Sequence, residues 1–155
     1  MRTQTILAFA LFLAVRAVSQ DAPKLPPPAQ CKFSDGTKIS VLYSYERKTY
    51  LFTTDGSLVT IRGIRVPSGD YAVSPAKGQD NNWTLRIRKQ FAKTGDWALE
   101  PLPMSVVTKA LPGGSAPVVF DQTGGSCMMY WRQQDSNTLL SLEFTRENSD
   151  VPVSD

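Results

Sequence analysis

Short segments in which apolar and polar residues alternate are the feature that most constrains the fold of this chain. The clearest segment reads Trp-Thr-Leu-Arg-Ile-Arg-Lys, so that Trp83, Leu85 and Ile87 fall on one side of an extended chain and the arginines on the other. Successive side chains of a strand point to opposite faces, so this pattern predicts a strand with one buried and one solvated face. Helical spacing is almost absent from the chain.

Turn signals separate these segments at intervals of about eight to twelve residues. The dipeptides Asp35-Gly36 and Asp55-Gly56 tolerate the positive φ of tight hairpins. The resulting pattern of about nine short strands is typical of an all-β fold, a single antiparallel β-sandwich or barrel-like domain, which we assign to residues 31–145. The strand faces follow from the alternation and are listed as Ile39, Val41, Tyr43 and Tyr45; Cys127, Met129 and Trp131; Leu140, Leu142 and Phe144.

The first nineteen residues have the three zones of a secretory signal peptide. Arg2 precedes an apolar run, and the small residues Ala17 and Ser19 stand three and one positions before the expected cleavage site. The apolar run is much shorter than the roughly 20 residues that a membrane-spanning helix needs. We therefore expect an exported protein, periplasmic or extracellular, without a stable membrane anchor.

Two further segments are expected to lie outside the folded domain. Residues 20–30 contain four prolines, which favour an extended tether over a helix. Residues 146–155 are polar and show no apolar period, which predicts a disordered tail.

The absence of histidine excludes whole classes of functional site. The chain contains no His, whereas Ser-His-Asp triads, Cys-His pairs and His-ligated zinc sites all need an imidazole. The remaining acids and bases are carboxylates, and most Asp residues lie at predicted turns, where the side chain bonds to nearby backbone. We expect no cofactor and assign no catalytic residue or metal ligand.

Net charge argues against a nucleic-acid partner. The whole chain carries +3, and removal of residues 1–19 takes away Arg2 and Arg16, which leaves +1. Domains that bind nucleic acid usually carry a clearly basic surface.

The two cysteines, Cys31 and Cys127, are too few for a four-cysteine zinc site or an iron–sulfur cluster. In an oxidising compartment they are expected to form one structural disulfide. Such a bond closes a loop of roughly 97 residues and contributes about 4–5 kcal/mol in the chain-entropy account. Two buried free thiols are the alternative.

Four blocks of sequence, in this order, resemble a known family. They are Cys31-Lys-Phe-Ser-Asp-Gly-Thr-Lys-Ile-Ser-Val-Leu-Tyr-Ser44, Val66-Pro-Ser-Gly-Asp-Tyr71, Trp83-Thr-Leu-Arg-Ile-Arg-Lys89, and Gly125-Ser-Cys127 with Trp131. Together they resemble the bacterial domain-of-unknown-function family 2911, whose members are exported or envelope proteins without an established activity. The resemblance implies a fold and a location rather than a chemistry. The chain departs from the family at Glu46-Arg47-Lys48-Thr49, where the family commonly has a longer insert rich in Gly, Arg and Trp. A functional site built on that insert would be absent here.

Two aromatic residues are candidate ligand contacts. Trp97 lies in segment 91–103, which we predict to be an ordered loop, and Tyr130 lies on the side of its strand opposite Trp131. Exposed aromatic residues can stack on sugar rings or anchor a protein partner, although many fill a second core layer instead.

Two classes of function follow from these observations. The preferred class is a non-catalytic binding domain for an envelope glycan, peptide or protein partner. The alternative is a hydrolase-type enzyme that uses carboxylates or a bound metal. The absence of His and of a paired-carboxylate motif favours the binding domain.

Overall fold

Antiparallel strands account for all the regular secondary structure in the described residues, which confirms the predicted fold class. The computed structural model describes residues 27–89, 99–108, 116–134 and 138–147. Within these ranges the strands are β1 Ala29–Lys32, β2 Lys38–Ser44, β3 Thr49–Thr54, β4 Leu58–Thr60, β5 Arg65–Val66, β6 Gly69–Lys77, β7 Trp83–Lys89, β8 Leu102–Val107, β9 Val118–Thr123, β10 Ser126–Arg132 and β11 Leu139–Arg146.

Nine of these strands form one continuous sheet that nearly closes into a barrel. Their order is β1-β2-β3-β6-β7-β8-β11-β10-β9, and the short hairpin β4–β5 attaches to β11 through β4. The two end strands, β1 and β9, approach each other to within 8 Å between Cα atoms. Closure of this kind shields strand edges that would otherwise be open to pairing with other chains.

The sheet turns two corners, and each is made by a chain segment that passes from one half of the barrel to the other. In β8, Leu102 lies opposite Leu85 of β7, whereas Val107 lies opposite Leu139 of β11. At the second corner the chain leaves β3 and enters β4, which pairs with the far end of β11. The inner faces of the two halves therefore face each other and enclose the core.

Alternate residues from both halves fill this core. Phe52 of β3 and Phe144 of β11 are fully buried, and their ring centroids lie 5.4 Å apart. Leu85 and Ile87 are buried and Trp83 is half-buried, so the predicted face of β7 is confirmed. The other fully buried side chains include Ile39, Leu58, Val66, Tyr71, Leu102, Met129 and Leu140.

The predicted disulfide joins Cys31 of β1 to Cys127 of β10, with 6.2 Å between their Cα atoms. Both residues are buried, and Cys127 faces the core together with Met129 and Trp131, as the alternation predicts. The bond thus connects one end strand to the strand next to the opposite end of the sheet.

The boundaries of the domain differ slightly from those predicted. β1 begins inside the predicted tether, because Ala29 and Gln30 pair with Val41 and Ser40 of β2 and the extended chain joins the sheet. At the other end β11 includes Arg146, one residue beyond the predicted domain.

Several predicted segments fall outside the described residues. They are the signal peptide, the tether up to residue 26, residues 91–98 of the predicted loop and the tail from residue 148. Residues 99–101 of the loop have no regular structure, and β8 then begins at Leu102. In the described ranges no helix has the length and apolar character needed to cross a membrane.

Arg146 connects the end of β11 to two turns. Its Nε donates to Oδ2 of Asp35 at 2.7 Å, and its Nη1 donates to the carbonyl of Ser57. The same Asp35 carboxylate accepts a hydrogen bond from the amide of Thr37 at 2.9 Å. A Cβ at Gly56 would overlap the guanidinium of Arg146, so a larger residue there would displace the guanidinium from Asp35 and Ser57.

Tyr71 anchors the turn that enters β6. Its hydroxyl donates to the carbonyl of Pro67 at 2.6 Å, and its ring is fully buried. Burial raises the pKa of the Tyr71 phenol, which keeps it protonated as a donor.

Removal of the disulfide should lower stability substantially. We expect the double substitution Cys31→Ala, Cys127→Ala to reduce the free energy of unfolding by about 4 kcal/mol, because the bond restricts a loop of roughly 97 residues in the unfolded chain. Urea denaturation of the variant, beside oxidised and reduced wild-type protein, measures this. Equal midpoints for all three would show that the bond contributes nothing.

The Asp35–Arg146 pair should make stability depend on pH in the acid range. Bonding to Arg146, and then to the Thr37 amide, lowers the pKa of Asp35 from 3.8 to about 2. The folded state therefore favours the ionised carboxylate, and the stabilisation is present above pH 4 and is lost as pH falls towards 2.

Asp35→Asn should flatten this dependence, since the amide keeps the turn bond to Thr37 but not the ion pair. Urea midpoints between pH 2 and 5 test the prediction. Asp121→Asn is the control. Asp121 is exposed on β9, so this substitution removes one carboxylate without affecting Arg146. The same pH slope in all three proteins would contradict the prediction.

Candidate functional site

At one end of the barrel, aromatic residues continue the inner faces that aliphatic residues occupy further in. On β2, the face of Ile39 and Val41 continues with Tyr43, and then with Tyr45 in the turn after the strand. Tyr43 lies opposite Tyr50 of β3. Tyr43 and Tyr45 share the face of Ile39 and Val41 because every second residue of a strand points to the same side.

These tyrosines form a row that ends on Trp131 of β10. Ring centroids are 5.0 Å apart between Tyr45 and Tyr43, and 4.9 Å apart between Tyr43 and Tyr50. Tyr50 and Trp131 follow at 4.7 Å, and all three contacts are edge-to-face. Tyr45 is 56% exposed and Trp131 only 4%, so the row runs from solvent to the core. We call Tyr45, Tyr43 and Tyr50 the tyrosine row.

The tyrosine row and Trp131 form part of the wall of an open cleft of about 610 Å³. This volume falls within the range of roughly 300–1,000 Å³ that is usual for small-molecule sites, and the mouth of a barrel is a common position for them. The remaining lining residues are Lys48, Thr49, Val73, Ser74, Pro75, Pro117, Arg132, Gln133 and Gln134.

Two residues that line the cleft have hydrogen-bond donors without partners in the described part of the chain. The Nε of Arg132 and the Nε2 of Gln133 are buried from solvent and bond to no group in the described part of the chain. The backbone of both residues is held in place, since the Arg132 amide donates to Pro117 and the Gln133 amide donates to Thr138, at 2.8 and 3.0 Å. A buried unpaired donor costs about 1–3 kcal/mol, so the two donors lower the stability of this end of the barrel.

The turn between β2 and β3 forms the rim of the cleft. It comprises residues 45–48, and Lys48 adopts a left-handed conformation with φ of 51°. A non-glycine residue in this conformation is uncommon, and such residues often occur at functional sites. The turn coincides with the segment that is shorter than in the resembled family.

Burial chiefly, and then the neighbouring phenols of Tyr43 and Tyr45, raise the pKa of Tyr50. The Tyr50 hydroxyl consequently remains protonated at neutral pH and is available to donate to a ligand oxygen.

Of the two residues predicted as ligand contacts from sequence, the structure describes only Tyr130. Trp97 belongs to residues 90–98 and lies outside the described ranges. Tyr130 lies between Val119 of β9 and Ser141 of β11, and only 9% of it is exposed, so it offers little area to a ligand. The signal for the tyrosine row is the spacing of Tyr43 and Tyr45, which extends an apolar face with residues that are both aromatic and polar.

A second cleft, of about 700 Å³, lies beside β6 and β7. Its lining includes Arg47, Arg86, Arg88, Leu99 and Pro101. Arg86 and Arg88 are exposed, as predicted for the solvated face of β7. This cleft has no aromatic lining residue among those described.

Asp55 and Asp70, like Asp35, have structural partners. Oδ1 of Asp55 accepts from the Lys38 amide at 2.6 Å, and Oδ1 of Asp70 accepts from Oγ1 of Thr53 at 2.8 Å. In the described ranges no three Cys, Asp or Glu side chains lie together in a way that could hold a metal ion.

No family model matches this chain, and neither a curated protein nor a solved structure matches it. The resemblance to the bacterial family 2911 therefore stays a hypothesis based on the four blocks of sequence.

The two ends of the aromatic row should respond differently to truncation. Trp131→Ala should destabilise the protein by about 3–5 kcal/mol, because the ring is buried in the core. Tyr45→Ala should cost less than about 1 kcal/mol, because Tyr45 is mostly exposed and loses one edge-to-face contact. Chemical denaturation measures both values. A large loss for Tyr45→Ala would show that its role is structural.

Proposed function

We propose that this protein is an exported, non-catalytic binding domain whose cleft holds an envelope glycan. The observation that supports the proposal is the combination, in the lining of one cleft, of the tyrosine row with the polar side chains of Arg132 and Gln133. A sugar presents both an apolar face of C–H groups and a rim of oxygen acceptors. Aromatic rings suit the former, and N–H and phenolic O–H donors suit the latter.

Strand pairing favours a glycan over an extended peptide. A peptide that binds by adding a strand needs a free strand edge. In the cleft, Tyr50 is already paired with Tyr43 and Val73, and Trp131 is paired with Val118 and Leu140. Recognition at these two walls consequently depends on side chains.

The location in the proposal has two supports. The Cys31–Cys127 disulfide is consistent with an oxidising, exported location. The expected signal peptide and the resemblance to an envelope family favour export across a bacterial membrane. The periplasm and the extracellular space both satisfy these conditions.

Binding of oligosaccharides tests the proposal. We expect at least one of chitotriose, cellotriose and trigalacturonate to raise the melting temperature of the oxidised protein, since a ligand that binds only the folded state stabilises it. Tyr45→Ala should weaken that binding by about tenfold or more, equivalent to about 1.4 kcal/mol.

Ile61→Ala is the matched control for this experiment. Ile61 is 77% exposed and lies in the β4–β5 turn, so its truncation also removes an exposed apolar side chain but leaves the cleft unchanged. Equal weakening by the two substitutions, or no binding of any of the three sugars, would contradict the proposal.

A further inference from the structure

The charged side chains among the described lining residues of the cleft are both positive. They are Lys48 and Arg132, and no Asp or Glu occurs among the lining residues that the structure describes. Glu46 belongs to the same turn as Lys48 but is exposed and does not line the cleft. Two positive charges in a concave, partly apolar site raise the local concentration of anionic ligands.

Arg132 has an unusual environment for a cation. It is half-buried, its Nε is shielded from solvent, and it forms no ion pair within the described part of the chain. Elsewhere in the same protein the partly buried Arg146 is paired with Asp35. A shielded cation is stabilised by an anion that also accepts its hydrogen bonds.

A carboxylate fits this environment better than a hydroxyl group does. The guanidinium presents parallel N–H donors that match the two oxygens of a carboxylate, and such charge-assisted bonds are about twice as strong as neutral ones. Gln133 lines the same cleft, and its Nε2 has no hydrogen-bond partner among the described residues. Lys48 contributes a second positive charge from the rim.

We infer that the cleft binds an acidic sugar, with the carboxylate of a uronate-type residue drawn to the positive charges of Arg132 and Lys48 and the sugar ring against the tyrosine row. This inference rests on the proposed glycan-binding function and specifies the chemical class of its ligand. A cleft of this kind distinguishes acidic from neutral glycans, which its aromatic residues alone would not do.

A pair of ligands that differ only in the carboxylate provides the test. Trigalacturonate and its methyl ester have the same rings and hydroxyl groups, but the ester carries no charge. Isothermal titration of the oxidised protein in 50 mM salt should show at least about tenfold tighter binding of the acid. This preference should decrease at 500 mM salt, because salt screens exposed charges.

Substitutions in the cleft assign the preference to its residues. Arg132→Gln and Lys48→Gln should each remove most of the preference for the acid and leave the affinity for the ester within about twofold. Arg62→Gln is the control. Arg62 is exposed in the β4–β5 turn and is not one of the lining residues of the cleft, so this substitution removes one positive charge away from the cleft. If Arg132→Gln fails to fold, Lys48→Gln in the rim turn still tests the prediction.

The outcomes separate the two proposals. Equal affinity for acid and ester, or a preference that survives both cleft substitutions, overturns the acidic-sugar inference and leaves glycan binding intact. Failure of acid, ester, chitotriose and cellotriose to bind overturns both. Tighter binding of a tripeptide than of any sugar, lost in Arg132→Gln, assigns the carboxylate site to a peptide and also overturns both.

Discussion

The disulfide between Cys31 and Cys127 is the constraint on which the barrel depends. β1 has four residues and is hydrogen-bonded to β2, while β9, at the opposite end of the sheet, is hydrogen-bonded to β10. The covalent bond joins β1 directly to β10 and so holds the two ends of the sheet at a fixed separation. It also sets the distance across the cleft, because β2, the neighbour of β1, carries Tyr43, and β10 carries Trp131 and Arg132. One crosslink therefore stabilises the core and maintains the geometry of the candidate site.

At the cleft, the residue types that face the inside of the barrel differ from those in the rest of the core. Further in, the facing positions are aliphatic or fully buried aromatic side chains such as Phe52 and Phe144. Towards the mouth they become tyrosines and amides, and two donors are left without partners in the described chain. A core optimised for stability alone would pair or replace such donors, since each unpaired group lowers stability. Local departures of this kind, surrounded by a consistent core, are typical of binding sites.

Local pattern was sufficient to predict most of the fold. The alternation at Leu85 and Ile87 placed those side chains in the core, and the shared face of Cys127 and Trp131 placed the disulfide there. The start of β1 was missed because proline content favours an extended tether, and only pairing with Val41 shows that the chain joins the sheet. The site was harder to predict, because Tyr50 and Trp131 are brought together by the order of strands rather than by any local spacing. Tyr130 is a candidate from sequence because of its place on a strand face, and such a place does not indicate how the barrel closes. Trp97, the other candidate, lies outside the described residues.

The four-residue turn at the rim allows recognition and folding to vary independently. Residues 45–48 join two strands whose register is already set by six residue pairs from Ile39↔Thr54 to Ser44↔Thr49. A longer connection at this point adds only about 0.6 kcal/mol of closure cost for each doubling of its length. Insertions and deletions here can therefore deepen, cover or open the mouth while the barrel beneath stays unchanged. Related domains that diverged at this turn would share a scaffold and differ in the ligands they accept.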